Sequence, residues 1–114
     1  MGYVNKTMIE QAGRYLLNLL LHSPVIRYSE HFYDATDETH LRLQDALGLE
    51  DDWYSPELLI DVAAEQLAAM GLVDITWLDE KMADGEADSL IRLTEKGKKH
   101  SASGKVPVLH GVDL

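Results

Sequence analysis

The first third of the chain has the hydrophobic spacing of one amphipathic helix followed by a short strand. Thr7 and Glu10 are placed as a capping box, in which each side chain accepts a hydrogen bond from a backbone N–H of the first turn. Apolar residues then recur every three or four positions as far as Ser23-Pro24, where the proline disfavours helical backbone at the residue before it. Val25 to Tyr28 is predicted to be a short strand that leads into a loop.

Two further helices are predicted before the pattern changes. The second is expected to start near Thr36 and to stop at Gly48. The third has Ser55 as its cap and Pro56 in its first turn, where the missing N–H of proline costs nothing, and it ends at Gly71. Its inner face is predicted to consist of four apolar residues at helical spacing, namely Ile60, Ala63, Ala64 and Leu67.

The hydrophobic period changes to 2 after the third helix, which is typical of a β-hairpin. Val73, Ile75 and Trp77 fall on one side of the first strand, and residues 89–94 alternate again as the return strand. The residues between, 79–88, are predicted to be a long polar loop. Trp77 and Trp53 are expected to pack in the core or against the hairpin rather than to stack on bases.

The end of the chain is predicted to contain one more short helix. Thr94 is expected to cap a basic helix from Glu95 to His100. Residues 101–114 are predicted to be an irregular tail. Its apolar residues leave three alternatives open, which are packing under the first helix, addition to a neighbour's sheet edge, and disorder.

Two short motifs flank the predicted hairpin. One runs from Leu67 to Val73 with the sequence Leu-Ala-Ala-Met-Gly-Leu-Val, and the other runs from Leu93 to Gly97 with the sequence Leu-Thr-Glu-Lys-Gly. With the helices before them, these motifs resemble the winged helix-turn-helix domain of MarR-type bacterial regulators. The resemblance implies an α+β fold, a winged helix with a three-helix helix-turn-helix core and a β-hairpin wing. Residues 1–100 would form this domain, and residues 101–114 would be its tail.

Acidic residues are concentrated where DNA-binding members of this family carry cations. The formal net charge is −10, and 17 of the 20 Asp and Glu residues lie between Ser29 and Asp88, where only Arg42 and Lys81 are basic. Because DNA binding needs cations that neutralise phosphates, we expect the third helix and the wing to contact a protein instead. The residues predicted to make this contact are Leu58, Asp61, Val62, Glu65, Asp84 and Glu86. If the third helix is rotated about its axis relative to this prediction, Leu58 and Val62 belong to the core.

The sequence therefore favours a non-catalytic regulatory protein that binds a protein partner. It would be an adaptor or an inhibitor of the DNA-mimic type, and a homodimer through the first helix and the tail is one form that such contacts can take. The alternative is a DNA-binding transcriptional regulator that uses cations located after the wing. Those cations are Arg92, Lys96, Lys98 and Lys99.

The sequence gives little support for a metal site, a catalytic site or a cofactor site. His22, His31 and His40 are evenly spaced among acids, but no pair has the i, i+4 spacing of helical metal ligands, so no metal site is predicted. No phosphate-binding glycine loop, nucleophile elbow or dinucleotide fingerprint occurs, so neither a catalytic site nor a cofactor is expected. The lack of cysteine and of a signal-like N-terminal pattern favours a cytoplasmic protein, and no membrane contact is expected.

Overall fold

The computed structural model describes residues 3–4, 6–32, 45–47, 56–82, 85–105 and 107–113. Within these residues the protein has a mixed α+β structure with four helices and a three-stranded antiparallel sheet of order β2-β4-β3. A second pairing joins β1 to β5. The elements in chain order are β1 (Tyr3–Val4), α1 (Lys6–His22), β2 (Val25–Arg27), α2 (Tyr28–His31), α3 (Pro56–Ala69), β3 (Val73–Lys81), β4 (Ala87–Leu93), α4 (Glu95–Ala102) and β5 (Val112–Asp113).

One face of the three-stranded sheet is apolar and faces the helices. Ile26, Ile91 and Ile75 lie side by side in the register across the three strands. Ile26 and Ile91 are buried and Ile75 is half-buried. Because successive side chains of a strand point to opposite faces, the neighbouring row of Val25, Arg92 and Asp74 lies on the solvent face, where all three are exposed.

The core forms where α1 and α3 pack together. The predicted inner face of α3 is confirmed, since Ile60, Ala63, Ala64 and Leu67 are all buried. They belong to one cluster with the apolar stripe of α1 and with Leu109 from the C-terminal segment. Burial of these side chains supplies most of the favourable free energy of folding.

The C-terminal segment returns to α1 and α3. Leu109 is fully buried, and a Cβ placed on Gly13 of α1 would lie 2.7 Å from its Cδ1 atom, so the glycine leaves the space that the leucine fills. The side chain of Gln66 binds the backbone of His110 in both directions, at 2.8 Å and 2.7 Å. Of the three alternatives for the tail, packing against the first helix is the one that the structure shows for this part of the chain.

The two sequence motifs meet in a joint between α3, β3 and α4. The hydroxyl of Thr94 lies 2.6 Å from the carbonyl oxygen of Gly71 and accepts a hydrogen bond from the N–H of Gly97 at 2.9 Å, which confirms Thr94 as the cap of α4. Gly71 has φ +77°, a left-handed conformation that glycine adopts without strain. A Cβ on Gly97 would collide with the carbonyl oxygen of Leu72. These contacts between the two motifs hold the end of α3 against the start of α4.

Several predicted boundaries are wrong. Helix α1 begins at Lys6, so Thr7 lies inside the first turn, and the Glu10 carboxylate instead accepts a long hydrogen bond (3.5 Å) from the N–H of Leu109. The residues after β2 form α2 rather than a loop. The strands of the hairpin extend to Lys81 and back from Ala87, because these two residues pair beyond a register shift between Trp77 and Lys81, although the polarity of this stretch indicated a loop.

Some predictions concern residues that the structure does not describe. Most of the second predicted helix, from Thr36 to Gly48, lies outside the described residues, and so do the predicted cap Ser55 and Trp53. Three residues of the second predicted helix are described: Asp45 and Ala46 are helical, and Leu47 is buried. Helix α4 continues two residues beyond the predicted end.

Across the described ranges, no helix combines the length and the apolar character needed to cross a bilayer.

Candidate functional site

A groove of about 600 Å³ separates α3 from the inward face of the hairpin. Its helix side is formed by the face of α3 next to the core, which carries Leu58, Asp61 and Glu65 and includes the buried Ala64. Its other side is formed by residues of the hairpin, and Tyr28 of α2 also lines it. The lining residues from the hairpin are Ile75, Trp77, Met82, Glu86, Ala87, Ser89 and Ile91.

Helical spacing explains why carboxylates line one wall of the groove. Glu57, Asp61 and Glu65 follow one another at intervals of four residues, so they lie on one face of α3. Asp61 and Glu65 are exposed, and Leu58 is half-buried between this face and the core. With Glu86 from the hairpin, four carboxylates line the groove, and no lysine or arginine does so among the described residues.

The wall contributed by the hairpin changes from buried to exposed along one strand. Val73, Ile75 and Trp77 all lie on the inward face, as the alternation predicts, yet Val73 is 1% exposed, Ile75 is half-buried and Trp77 is 65% exposed. The expectation that Trp77 packs in the core or against the hairpin is therefore wrong. The strand extends beyond the core, and the residue paired with Trp77 is Ser89, whose small side chain cannot cover an indole ring.

A buried carboxylate anchors the distal hairpin from its other face. Asp88 is 3% exposed and accepts hydrogen bonds from Arg27 Nε at 2.7 Å, from Ser29 Oγ at 2.6 Å and from the backbone N–H groups of Ser29 and Ser89. Burial raises the pKa of this carboxyl, but the hydrogen bonds from Arg27 and Ser29 outweigh burial and lower the pKa to about 2. Arg27 also pairs with Glu80 on β3. These bonds connect β2, α2 and both hairpin strands behind the open groove.

The predicted contact residues come together only in part. Leu58, Asp61, Glu65 and Glu86 line the same groove. Val62 is half-buried and packs against the core, which is the alternative that the sequence left open for it. Asp84 lies outside the described residues.

Of the apolar lining residues, only Leu58 was predicted to contact a partner; the larger ones that were not are Tyr28, Ile75, Trp77, Met82 and Ile91. For Ile75 and Trp77 the signal was present, because both have the same strand parity as the buried Val73. For Tyr28 and Met82 there was no local signal, since they reach the groove only through the packing of α2 and the shape of the hairpin.

The basic residues of the alternative hypothesis lie on another part of the molecule. Arg92 is on the solvent face of the sheet, with its Nη2 atom 2.7 Å from Asp74 Oδ2. Lys96, Lys98 and Lys99 are exposed on α4, where Lys98 Nζ lies 3.2 Å from Glu95 Oε1. None of the four lines the groove. The acidic groove and the basic helix α4 are thus separate surfaces.

The histidines considered as metal ligands are distributed over separate elements. His22 ends α1, His31 ends α2, and His40 lies outside the described residues. In the portion of the chain with described coordinates, no three His, Asp or Glu side chains are grouped as a metal site requires.

Comparisons of the chain with protein-family models, with curated proteins and with solved structures find no match.

Proposed function

We propose that the chain is a non-catalytic winged-helix protein that binds a protein partner in the groove between α3 and the hairpin. The succession of α1, β2, α3, β3 and β4, with the strand order β2-β4-β3, supports the winged helix that the two sequence motifs suggest. In this assignment α3 is the third helix of the helix-turn-helix, and the hairpin is the wing. The groove lies between these two elements.

The proposal depends on a groove in which apolar side chains of the hairpin and acidic side chains of α3 form the two walls. Exposed apolar surface surrounded by charged residues is typical of protein interaction sites, where aromatic residues supply much of the binding energy. The exposed Trp77 provides such surface here, and the half-buried Leu58 lines the same groove together with Asp61 and Glu65. A partner segment with apolar and basic residues complements both properties.

The same charges oppose docking of α3 to DNA. A duplex against this surface would bring its phosphates next to Asp61 and Glu65, and no counterions would be released by cations of the groove. An inhibitor of the DNA-mimic type uses this property, because its carboxylates take the place of phosphates on a basic target.

Selection from a random peptide library displayed on phage tests the proposal. Peptides enriched on the wild-type chain are measured against Trp77→Ser, which removes the exposed ring from the groove, and against Val25→Ser, which removes an exposed apolar side chain (53% exposed) from the opposite face of the sheet. We expect Trp77→Ser to weaken binding by at least about tenfold, as for an aromatic hot spot. Val25→Ser should leave binding unchanged.

Equal binding to both variants would contradict the groove as the partner site. A labelled DNA duplex titrated at low salt provides the competing outcome. Binding that falls steeply with salt and is lost when Lys96, Lys98 and Lys99 are changed to glutamine would favour a DNA-binding regulator instead.

A further inference from the structure

We infer that the partner binds as an extended segment, which adds a strand to the three-stranded sheet along the outer edge of β3. This inference rests on the proposed function and specifies how the main chain of the partner docks beside the groove. It combines the direction of the backbone groups of β3 with the exposure of this strand.

Two backbone hydrogen bonds at the end of β4 show which way the groups of this strand point. The N–H of Leu93 donates to the carbonyl oxygen of Pro24 at 2.9 Å, on the side of β2. The N–H of the next residue, Thr94, donates to the carbonyl oxygen of Leu72 at 3.2 Å, on the side of β3. Because this direction alternates along an antiparallel strand, the backbone groups of Arg92 also point towards β3.

The same alternation leaves the backbone groups of Ile75 and Trp77 on the outer side of β3. Arg92 pairs with Asp74, so Asp74 bonds to β4, and Thr76 does the same two residues further along. Ile75 and Trp77 have the opposite parity, and their N–H and C=O groups point away from β4. Among the described residues no strand lies beyond β3, which ends the order β2-β4-β3. This edge therefore presents donors and acceptors that an extended main chain can satisfy.

Of the two edge strands of the sheet, β3 is the longer and the more exposed. None of its side chains from Asp74 to Lys81 is buried, and only Ile75 and Leu78 are half-buried. The other edge strand, β2, has three residues and leads directly into α2. An added strand therefore finds room along β3.

The added strand would bring every second side chain next to the groove. Ile75 and Trp77 line the groove, and residues directly opposite them in an added strand would project from the same face of the sheet. β-Branched side chains form favourable cross-strand pairs with aromatic residues, so valine or isoleucine suits these positions. The side chains between them would face solvent beside the exposed Thr76.

The charge of the chain favours a cationic partner over a second copy. At a net charge of −10, two copies repel each other, whereas a segment with lysines on its solvent face is attracted. The occupant that fits the edge is thus an extended segment of another protein, in which β-branched residues alternate with lysines.

A fluorescein-labelled peptide in which four lysines alternate with three valines tests the inference by fluorescence anisotropy. Two derivatives carry N-methyl groups on the main chain, one at the valines and the other at the inner lysines. Because an N-methyl group removes a donor, the derivative methylated on the side that faces β3 should bind the wild-type chain at least about tenfold more weakly than the parent peptide. The other derivative should keep the affinity of the parent peptide. The valine derivative fails if the added strand is antiparallel, and the lysine derivative fails if it is parallel.

Two substitutions at one position separate the backbone from the ring. Trp77→Ser removes the indole and keeps the N–H, whereas Trp77→Pro removes both, and proline is tolerated in an edge strand where the N–H faces outward. We expect Trp77→Pro to bind the parent peptide at least about fivefold more weakly than Trp77→Ser, as for the loss of one hydrogen bond. Circular dichroism checks that both variants fold, and the methylated peptides test the inference on the wild-type chain.

Amide hydrogen exchange followed by NMR reports on the edge itself. In the free chain, the amides of Asp74 and Thr76 should exchange more slowly than those of Ile75 and Trp77, because the first two are bonded to β4. At about nine-tenths saturation with the parent peptide, exchange at Ile75 and Trp77 should slow about tenfold, since only the unbound chain then exchanges freely.

The outcomes distinguish this inference from the proposed function. If both methylated derivatives bind as tightly as the parent peptide, or if the parent peptide does not bind while phage-selected peptides still need Trp77, strand addition is overturned and the groove remains the partner site. A dimer in sedimentation whose Ile75 and Trp77 amides are protected without peptide would assign the edge to a second copy and overturn the inference. If no groove substitution changes the binding of any peptide and no amide of β3 slows, both proposals are overturned.

Discussion

The two ends of the hairpin follow the same alternation but differ in how they are packed. At the base, Val73 pairs with Leu93, and they are 1% and 5% exposed. At the distal end, Trp77 pairs with Ser89 on the same face, and the tryptophan is 65% exposed. Alternation therefore determines the face of a side chain, whereas the extent of the facing helices determines whether the side chain is covered.

The two ends are also held in different ways. The base is fixed on its inward side, where Thr94 and Gly97 contact the backbone of Gly71 and Leu72. Among the described residues, the distal end is held from its outward side by the bonds of Asp88. On the inward side of the distal end, Ser89 is buried but the ring of Trp77 is exposed, and the proposed function uses this ring.

The largest effect is expected at the base, from Gly97→Ala. The new Cβ would collide with the carbonyl oxygen of Leu72 and approach Leu93 Cδ1 to 2.7 Å. Because a backbone atom cannot move aside without shifting β3, we expect the free energy of unfolding to fall by about 3 kcal/mol, at the upper end of overpacking effects. Urea unfolding followed by circular dichroism measures the change.

Lys99→Ala is the control for this substitution, since it adds no atom to the joint and lies on an exposed position of the same helix. It should change stability by less than about 0.5 kcal/mol. A Gly97→Ala variant as stable as the wild type would show that α4 is not held against Leu72 in this way.

A smaller effect is expected from Asp88→Asn, which weakens the outward anchor. Removing the carboxylate replaces charge-assisted hydrogen bonds to Arg27 and Ser29 by weaker ones, at a cost of about 2 kcal/mol. The folded-state pKa of about 2 is below the ordinary value of 3.8, so the ionised form stabilises the fold at neutral pH. This contribution should be lost progressively as the pH falls from about 4 towards about 2.

Urea midpoints measured across this pH range test both statements. The wild-type chain should lose more stability on acidification than Asp88→Asn does. Parallel pH profiles for the two proteins would mean that Asp88 does not titrate with a lowered pKa.

Thr94→Val should cost less, because it removes one hydroxyl and retains the side-chain shape. The N–H of Gly97 loses its acceptor, and the carbonyl oxygens of Gly71 and Leu72 lose a donor. We expect a loss of about 1.5 kcal/mol, within the range for N-cap residues, and near-complete recovery in Thr94→Ser. Thermal unfolding of the three proteins provides the comparison, and equal stability of valine and serine variants would exclude a capping role.

The smallest change in stability is expected from Trp77→Ser at the distal end. Since the side chain is mostly exposed, the free energy of unfolding should change by less than about 0.5 kcal/mol, although partner binding is weakened. Urea unfolding tests the first part. A large loss of stability would mean that Trp77 packs into the fold and that the two ends of the hairpin do not differ as described.

Sequence patterns predicted the parts of the fold that depend on local spacing. The inner face of α3, the stop at Gly71 and the Thr94 cap each follow from a few neighbouring residues, and each is confirmed. The exposure of Trp77 was not predictable in this way. Its alternation is that of a core residue, and only the position of the helices determines where the core ends.

The anchor behind the groove shows a second limit. Arg27 and Asp88 are 61 positions apart, and nothing near either residue indicates that they pair. Asp88 was interpreted as one more acid of a polar loop, because a carboxylate that is buried by distant elements has the same local sequence as an exposed one. The acidic wall of the groove was predictable from helical spacing, but its apolar wall was not recognised.

The most direct test of the central claim is a map of where a partner binds. The isotope-labelled chain is titrated with a peptide from the phage selection, and amide and indole N–H chemical shifts are followed by two-dimensional NMR. We predict that the largest shift changes occur at the Trp77 indole and at the amides of Leu58 and Glu65, with little change on α4. Largest changes at Lys96, Lys98 and Lys99 would contradict the claim that the acidic groove is the binding site.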